Sequence, residues 1–244
     1  MPEFNIRIAG HTGRITALFE STPLYFKAYL TEDAPEFFVS VNRENLAFEQ
    51  RDLLEEALRE GFRPRTFTDP FLERAAIGRQ FAEFLLDHGT LWLHGSALAL
   101  DGCGYLFTAR SGTGKSTHTR LWRERFGDRA VIVNDDKPFV TLTGSGALLH
   151  GSPWSGKHGL DTNITVPLRG ICLLERGQDN RIEPAEPETV LPLLCKQAYE
   201  PLTEEKAAVS HGLLQTLAQR VPLWRMACNK DPEAAETACR GMHK

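Results

Sequence analysis

Ala109-Arg110-Ser111-Gly112-Thr113-Gly114-Lys115-Ser116-Thr117 is the stretch whose reading decides the fold. It follows Tyr105-Leu106-Phe107-Thr108, an apolar run of strand character. It opens onto His118-Thr119-Arg120-Leu121-Trp122-Arg123-Glu124-Arg125-Phe126, which reads as a helix. Strand, glycine-rich loop and helix in that order are the setting that gives a phosphate-loop pattern its mechanism. Glycine lets the backbone curl until several N–H groups converge, and the helix start adds unpaired N–H groups and the positive end of its dipole. A polyphosphate suits such a cradle, so Ser111, Gly112, Thr113, Gly114, Lys115, Ser116 and Thr117 are the candidate nucleotide-binding residues. Lys115 would reach the β- and γ-phosphates, and the Ser116 hydroxyl would sit on Mg2+. Ala109 stands where the usual pattern opens with glycine, a change the loop tolerates unless that position needs a positive φ. The competing reading is a Ser/Gly-rich turn before an ordinary helix, and the flanking strand weighs against it.

Downstream, Ala130-Val131-Ile132-Val133 reads as a buried strand that ends in Asn134-Asp135-Asp136. An acid that serves a phosphate loop belongs at such a strand end, facing the metal held by the loop's hydroxyl. Adjacent carboxylates point to different sides, so Asp135 and Asp136 can divide the work. One would hold Mg2+ and the other would accept the proton of an attacking hydroxyl. The sequence leaves open which does which, and a polar turn before Lys137-Pro138 is the alternative.

His94, in Leu93-His94-Gly95, lies between apolar residues ahead of the loop. It reads either as a core histidine or as a metal or acid–base group. Gly151-Ser152-Pro153-Trp154-Ser155-Gly156-Lys157-His158-Gly159 is a second glycine-rich loop. Trp154, Lys157 and His158 are its candidate substrate residues, and a surface loop is the alternative.

Together, Leu93-His94-Gly95, Ser111 to Ser116, and Asn134-Asp135-Asp136 resemble the HPr kinase/phosphorylase and phosphoenolpyruvate carboxykinase superfamily. Within it, the chain is similar to short bacterial HPr-kinase-like proteins that share His-x-Ser-Ala, Ser-Gly-Thr-Gly-Lys-Ser-Thr-His-Thr, Asn-Asp-Asp-Lys-Pro and Gly-x-Pro-Trp-Ser-Gly-Lys. The resemblance covers about residues 90–230. It implies an α/β fold with a P-loop kinase core, a curved mixed sheet and flanking helices. It also implies ATP and Mg2+, with Lys115 and Ser116 as phosphate and metal ligands, Asp135 and Asp136 as the acidic pair, and His94 beside them. Self-association follows as an expectation, since HPr kinases are hexamers. The chain lacks the arginines that bind phosphoenolpyruvate in the carboxykinases and has no copy of Glu-x-Arg-Gly-x-Gly near Leu168-Arg169-Gly170. The resemblance therefore speaks to nucleotide and metal chemistry and leaves the acceptor open.

The rest of the chain sets bounds. Residues 1–65 read as a small β-rich subdomain, with alternation in Phe4-Asn5-Ile6-Arg7-Ile8 and a helix from Arg51 that stops at Gly61. Residues 66–244 read as the catalytic domain, entered through a helix at Asp69-Pro70 with Phe71, Ala75, Phe81, Phe84 and Leu85 as its buried stripe. Residues 91–100 read as a strand pair or one bent strand, and Asp101-Gly102 as a hairpin turn. A net charge of −4 offers no field for nucleic acid, and no apolar run is long enough for a bilayer. Five scattered cysteines, without a C-x-x-C pair, point to a reducing cytoplasm and to small buried hydrophobes. The expected activity is an ATP- and Mg2+-dependent phosphotransferase acting on a hydroxyl of a peptide, a protein or a small molecule. The alternative is a nucleotide-binding switch or assembly factor with little or no transfer.

Overall fold

The computed structural model describes residues 1–59, 61–156 and 158–243, which divide into two units, Met1–Leu85 and Leu86–Lys244. In the first unit, β1 (Glu3–Ile8) and β2 (His11–Thr16) form a hairpin, and β3 (Phe37–Ser40) runs parallel to β2. The hairpin turns at Ala9 and Gly10, both with positive φ, as a two-residue turn demands. A short helix, α1 (Thr22–Tyr25), precedes the longer α2 (Arg43–Arg59) and α3 (Asp69–Leu86). Ile6, Ile8, Ile15 and Val39 turn inward with Ile77, Phe81 and Leu85. Between the long helices, Arg79 binds both Glu49 and Asp52.

Two expectations change here. The second helix starts at Arg43 rather than Arg51, because Asn42 and Asn45 exchange side-chain-to-backbone hydrogen bonds of 2.9 and 3.0 Å, a reciprocal N-terminal cap. The division between units falls after Leu85 rather than residue 65, so helix 69–86 belongs with the first unit up to that point. Within that helix Phe71 is exposed and lies against Phe67, while Phe81 and Leu85 are buried as expected.

The second unit is a curved mixed sheet with helices on both faces. Its strands are β4 (Thr90–Trp92), β5 (Ser96–Leu100), β6 (Cys103–Thr108), β7 (Ala130–Asn134), β8 (Phe139–Leu142), β9 (Ala147–His150), β10 (Thr165–Arg176), β11 (Arg181–Pro184) and β12 (Leu223–Cys228). The order is β4-β8-β9-β10-β6-β5-β7, with β12 also on β10 and β11 on β12. Its helices are α4 (Lys115–Phe126), α5 (Pro187–Gln197), α6 (Glu204–Arg220) and α7 (Glu233–Met242). Side-chain alternation assigns the faces. Ala97, Ala99, Leu106 and Ile171 pack with Val190, Leu194, Leu214 and Leu217 of α5 and α6. Leu98, Leu100, Tyr105, Phe107, Cys172 and Leu174 pack with Leu121 and Trp122 of α4 and Ala234, Ala235 and Ala238 of α7. These strands are buried on both faces, which is why they read as continuous apolar runs.

The curvature comes from β10. Residues 165–167 pair antiparallel with β9, and 171–176 pair parallel with β12, with a register shift between Leu168 and Gly170 on the β6 side. One strand is thus shared by two halves of the sheet and bends where the ladder slips. Residues 91–100 are neither a strand pair nor one strand, because β4 pairs with β8 whereas β5 pairs with β6 and β7. Asp101 and Gly102 do form the expected turn, both at positive φ. Of the five free cysteines only Cys172 is fully buried. Among the described residues no helix is long and apolar enough to cross a membrane.

Beyond β7 the chain is held by its own returning segment. Asp135 N–H donates to Leu160 O, Thr162 N–H to Val133 O, and Gly151 N–H to Ile164 O. A Cβ on Gly151 would stand 1.9 Å from Thr162 O, so no side chain fits. Gly151→Ala should therefore lower stability by about 2–4 kcal/mol through forced backbone displacement, read by urea unfolding. A loss below about 0.5 kcal/mol would show that this crossing yields easily.

Candidate active site

The loop between β6 and α4 turns on two of its glycines. Gly112 (φ 75°) and Gly114 (φ 123°) occupy backbone conformations closed to most side chains, whereas Ala109 is buried and does not have a positive φ. The loop therefore requires glycine at 112 and 114 and accepts alanine at 109. α4 starts at Lys115, so the N–H groups of its first turn lack carbonyl partners within the helix. Lys115 is buried, and its ammonium donates to Ala109 O at 3.1 Å. Ser111 and Ser116 are exposed, and Thr113 and Thr117 are half-buried. Beneath them Trp122 Nε1 donates to His118 Nε2 at 3.0 Å, anchoring the helix in the core.

Asp135, at the end of β7, is joined to that helix through a buried hydroxyl pair. Ser96 Oγ donates to Asp135 Oδ1 at 2.7 Å and lies 2.8 Å from Thr119 Oγ1. Ser96 has one proton and gives it to the carboxylate, so Thr119 donates to Ser96. Thr119 Oγ1 also lies 3.3 Å from Ser116 O in the first turn of α4. The chain Thr119–Ser96–Asp135 ties the strand-end acid to the helix that follows the loop. All three residues are buried.

Asp136 faces other partners. His94 Nε2 lies 3.3 Å from Asp136 Oδ1, and Gly95 N–H donates to Asp136 O at 2.8 Å. Burial opposes ionisation of Asp136. The His94 hydrogen bond and the charges of Lys137, His94 and Lys115 outweigh it and hold the carboxyl below its usual value.

Asn134 fixes the turn that carries both acids. Its Oδ1 accepts from the N–H groups of Asp136 (2.7 Å) and Lys137 (2.6 Å), and its Nδ2 donates to Ser152 O (2.7 Å) and Ser152 Oγ (3.0 Å). Ser152 Oγ in turn donates to Lys137 O at 2.6 Å. The second glycine-rich loop is thereby fastened beside the acids, and a Cβ at Gly156 would lie 3.4 Å from Asp136 Cβ. Trp154 is buried against Trp92 and Phe139, at 5.4 and 6.2 Å between ring centroids, so its indole packs instead of offering a face to a ligand. His158 is exposed, and Lys157 lies outside the described residues.

Among the described residues no three His, Cys, Asp or Glu side chains gather into a metal cluster. The oxygen donors beyond β7, the carboxylates of Asp135 and Asp136, are of the kind Mg2+ takes, one or two carboxylates with phosphate oxygens and water to complete the shell. They do not resemble an all-protein cage. His94 and Asp136 meet, and Asp135 is tied to α4, while Ser96, Thr119, Asn134 and Ser152 act as supports to which the motif reading gave no role. For Ser96 and Asn134 the signal is a small polar residue at the end of an apolar strand, in His94-Gly95-Ser96 and Asn134-Asp135-Asp136.

The chain matches no protein-family profile and no curated protein sequence. Among solved structures it is similar to the Hpr(Ser) kinase/phosphatase from Coxiella burnetii, with a TM-score of 0.38 and 13% identity over 61% of this chain and 93% of that one.

A group whose carboxyl is depressed in the folded state stabilises the fold above its unfolded value, and that contribution is lost as pH falls through the folded value. Asp136 belongs to this class. Unfolding free energies at about pH 6 and about pH 3 should therefore converge more in Asp136→Asn than in the parent protein. Identical pH slopes would remove Asp136 from the acid-sensitive groups.

Proposed function

We propose that the second unit is an ATP- and Mg2+-dependent phosphotransferase that acts on a hydroxyl group. The observation that carries this reading is the buried chain Thr119–Ser96–Asp135, which couples an acid at the end of β7 to the first turns of α4. A polar turn needs no such link. A site that must keep a metal-holding carboxylate in register with a phosphate-binding loop does.

The two acids divide by their surroundings. Asp135, buried and oriented by Ser96, would hold Mg2+ together with the Ser116 hydroxyl. The bound ion would neutralise charge on the phosphate oxygens. Asp136, half-buried and held by His94, accepts the proton of the attacking hydroxyl. Its depressed pKa keeps it ionised at neutral pH, so it is ready to receive and orient that proton. In the transfer the acceptor oxygen bonds to the γ-phosphorus, the bond from that phosphorus to the β,γ-bridging oxygen breaks, and ADP leaves with the electron pair. Lys115 would give up Ala109 O for phosphate oxygens that carry more charge. Most of the catalysis in such reactions comes from positioning and electrostatics, which a rigid arrangement of this kind supplies.

The loop after β9 forms the acceptor side in this reading. Ser152 and Trp154 hold it in place, while Lys157 and His158 are its candidate contacts with substrate. The acceptor is a serine or threonine of a peptide or protein, or a small-molecule alcohol.

Calorimetry should show Mg2+-dependent binding of ATP, and single-turnover reactions with γ-labelled ATP should place label on a hydroxyl-bearing acceptor. Lys115→Met should lower the transfer rate at least ~1000-fold, and Asp136→Asn at least ~100-fold with ATP still bound. Absence of ATP binding would end this reading. Label that stays on ATP, with binding intact, would favour the switch.

A further inference from the structure

The Arg176 guanidinium donates to the carbonyl oxygen of Gly112, inside the glycine-rich loop, at 2.7 Å. Three features bring it there. β10 runs parallel to β6 with Leu173 opposite Thr108, so the two strands leave the sheet at the same edge. Cys172 and Leu174 pack on the α4 face, and alternation along the strand turns Arg176 to that face as well. The neighbouring carboxylate does not compete, because both oxygens of Glu175 are taken by Arg225, at 2.9 and 2.8 Å.

The bond acts on one peptide plane. Across the trans peptide between Gly112 and Thr113, the C=O and N–H point in opposite directions and rotate together. Arg176 holds the C=O, and Arg110 O accepts from the Thr113 N–H at 3.2 Å on the other side. Rotation of this plane changes ψ at Gly112, where glycine offers little resistance, and φ at Thr113. Turning the plane would break the bonds at both of its ends and alter the course of the loop between Ser111 and Gly114. Holding both ends of the plane prevents this, and it leaves a fixed positive charge behind the loop.

We infer that Arg176 is a positioning residue of the phosphate loop: it locks the Gly112–Thr113 peptide and so holds the shape in which the loop's other amides can meet a nucleotide's phosphates. This rests on the phosphotransferase reading for the identity of the ligand, though not for the lock itself. Arg176 acts through the loop and has no part in the transfer step, so its effect falls on nucleotide affinity and not on turnover.

The test uses the full chain with Arg176→Ala and Arg176→Lys. Without nucleotide, hydrogen exchange at the amides of residues 111–114 should speed up in Arg176→Ala, with an unchanged melting temperature. Calorimetry with Mg2+ and ATP should show affinity roughly ten- to hundredfold weaker in Arg176→Ala, the range for losing one hydrogen bond to a charged group, and intermediate in Arg176→Lys. Turnover at saturating ATP should stay within about threefold of the parent, since uniform binding is what has been lost. Unchanged loop exchange overturns the lock whether or not nucleotide binds. Unchanged affinity in a parent that binds ATP overturns its role in binding. A collapse of turnover with affinity intact would instead place Arg176 on the transferred group and overturn the positioning role. If the parent protein fails to bind ATP, the phosphotransferase reading falls, and the exchange result still decides the lock.

Discussion

A carboxylate taken out of water must be given hydrogen bonds, and most of the second unit's polar architecture answers that need for Asp135. An isolated buried charge costs several kcal/mol, and a hydrogen bond to a charged group returns about 1.5–3 kcal/mol. Ser96 supplies one such bond, Thr119 orients Ser96, and the position of Thr119 is set by the helix that the glycine-rich loop launches. The carboxylate, strand β5 and helix α4 are therefore not independently adjustable. Moving the loop disturbs the hydroxyl chain, and breaking the chain leaves a buried charge partly unsatisfied. The fold has placed this network between the sheet and α4, where apolar packing from Leu98, Phe107 and Trp122 keeps it dry.

The neighbouring acid shows why adjacent positions carry different properties. Asp136 is one residue on, points away from the hydroxyl chain and meets His94 in a half-open setting. Its backbone is fixed from below by Asn134, whose amide bridges the acid-bearing turn and the loop at Ser152. Asn134 uses both ends of its side chain: the oxygen caps two N–H groups and the amide nitrogen finds two oxygens. An aspartate there could accept from the turn but could not donate to Ser152, and a leucine could do neither. The order Asn-Asp-Asp is thus readable as three tasks: one residue shapes the turn, one is buried beside the helix, and one stays partly exposed against His94.

Much of the second unit was legible because its strands are short apolar runs separated by turn signals, and because motif spacing survives without knowledge of the fold. The strand before the loop, α4 and β7 lie where the pattern put them. What escaped has physical causes. β10 has a continuous apolar run only from Ile171, since its first half contains Pro167, alternates exposed and buried residues, and pairs with a different part of the sheet. β11 is largely exposed and polar, so it carries no apolar signal at all. The early start of α2 is written in Asn42 and Asn45, a cap that uses asparagine where serine and glutamate are the familiar pair. Trp154 looked like a ligand-facing aromatic because it sits among glycines, yet a large ring in such a loop is the piece most available to anchor it.

The same reasoning explains why Arg176 was invisible as a residue of the site. Nothing in Leu174-Glu175-Arg176-Gly177 distinguishes it from the charged end of any strand. Its role depends on a register, Leu173 opposite Thr108, and on a neighbour, Glu175, already claimed by Arg225. Both are properties of pairing between segments about sixty residues apart. Motifs report what a local stretch can do, whereas an arginine that holds a loop by its carbonyl is defined by what the sheet brings beside it. A loop that turns on glycines has no side chains at those positions with which to fix its own peptide planes, so it must borrow them from the strand next door. The parallel β6–β10 pair makes that loan possible, because only parallel neighbours release their following residues at the same edge.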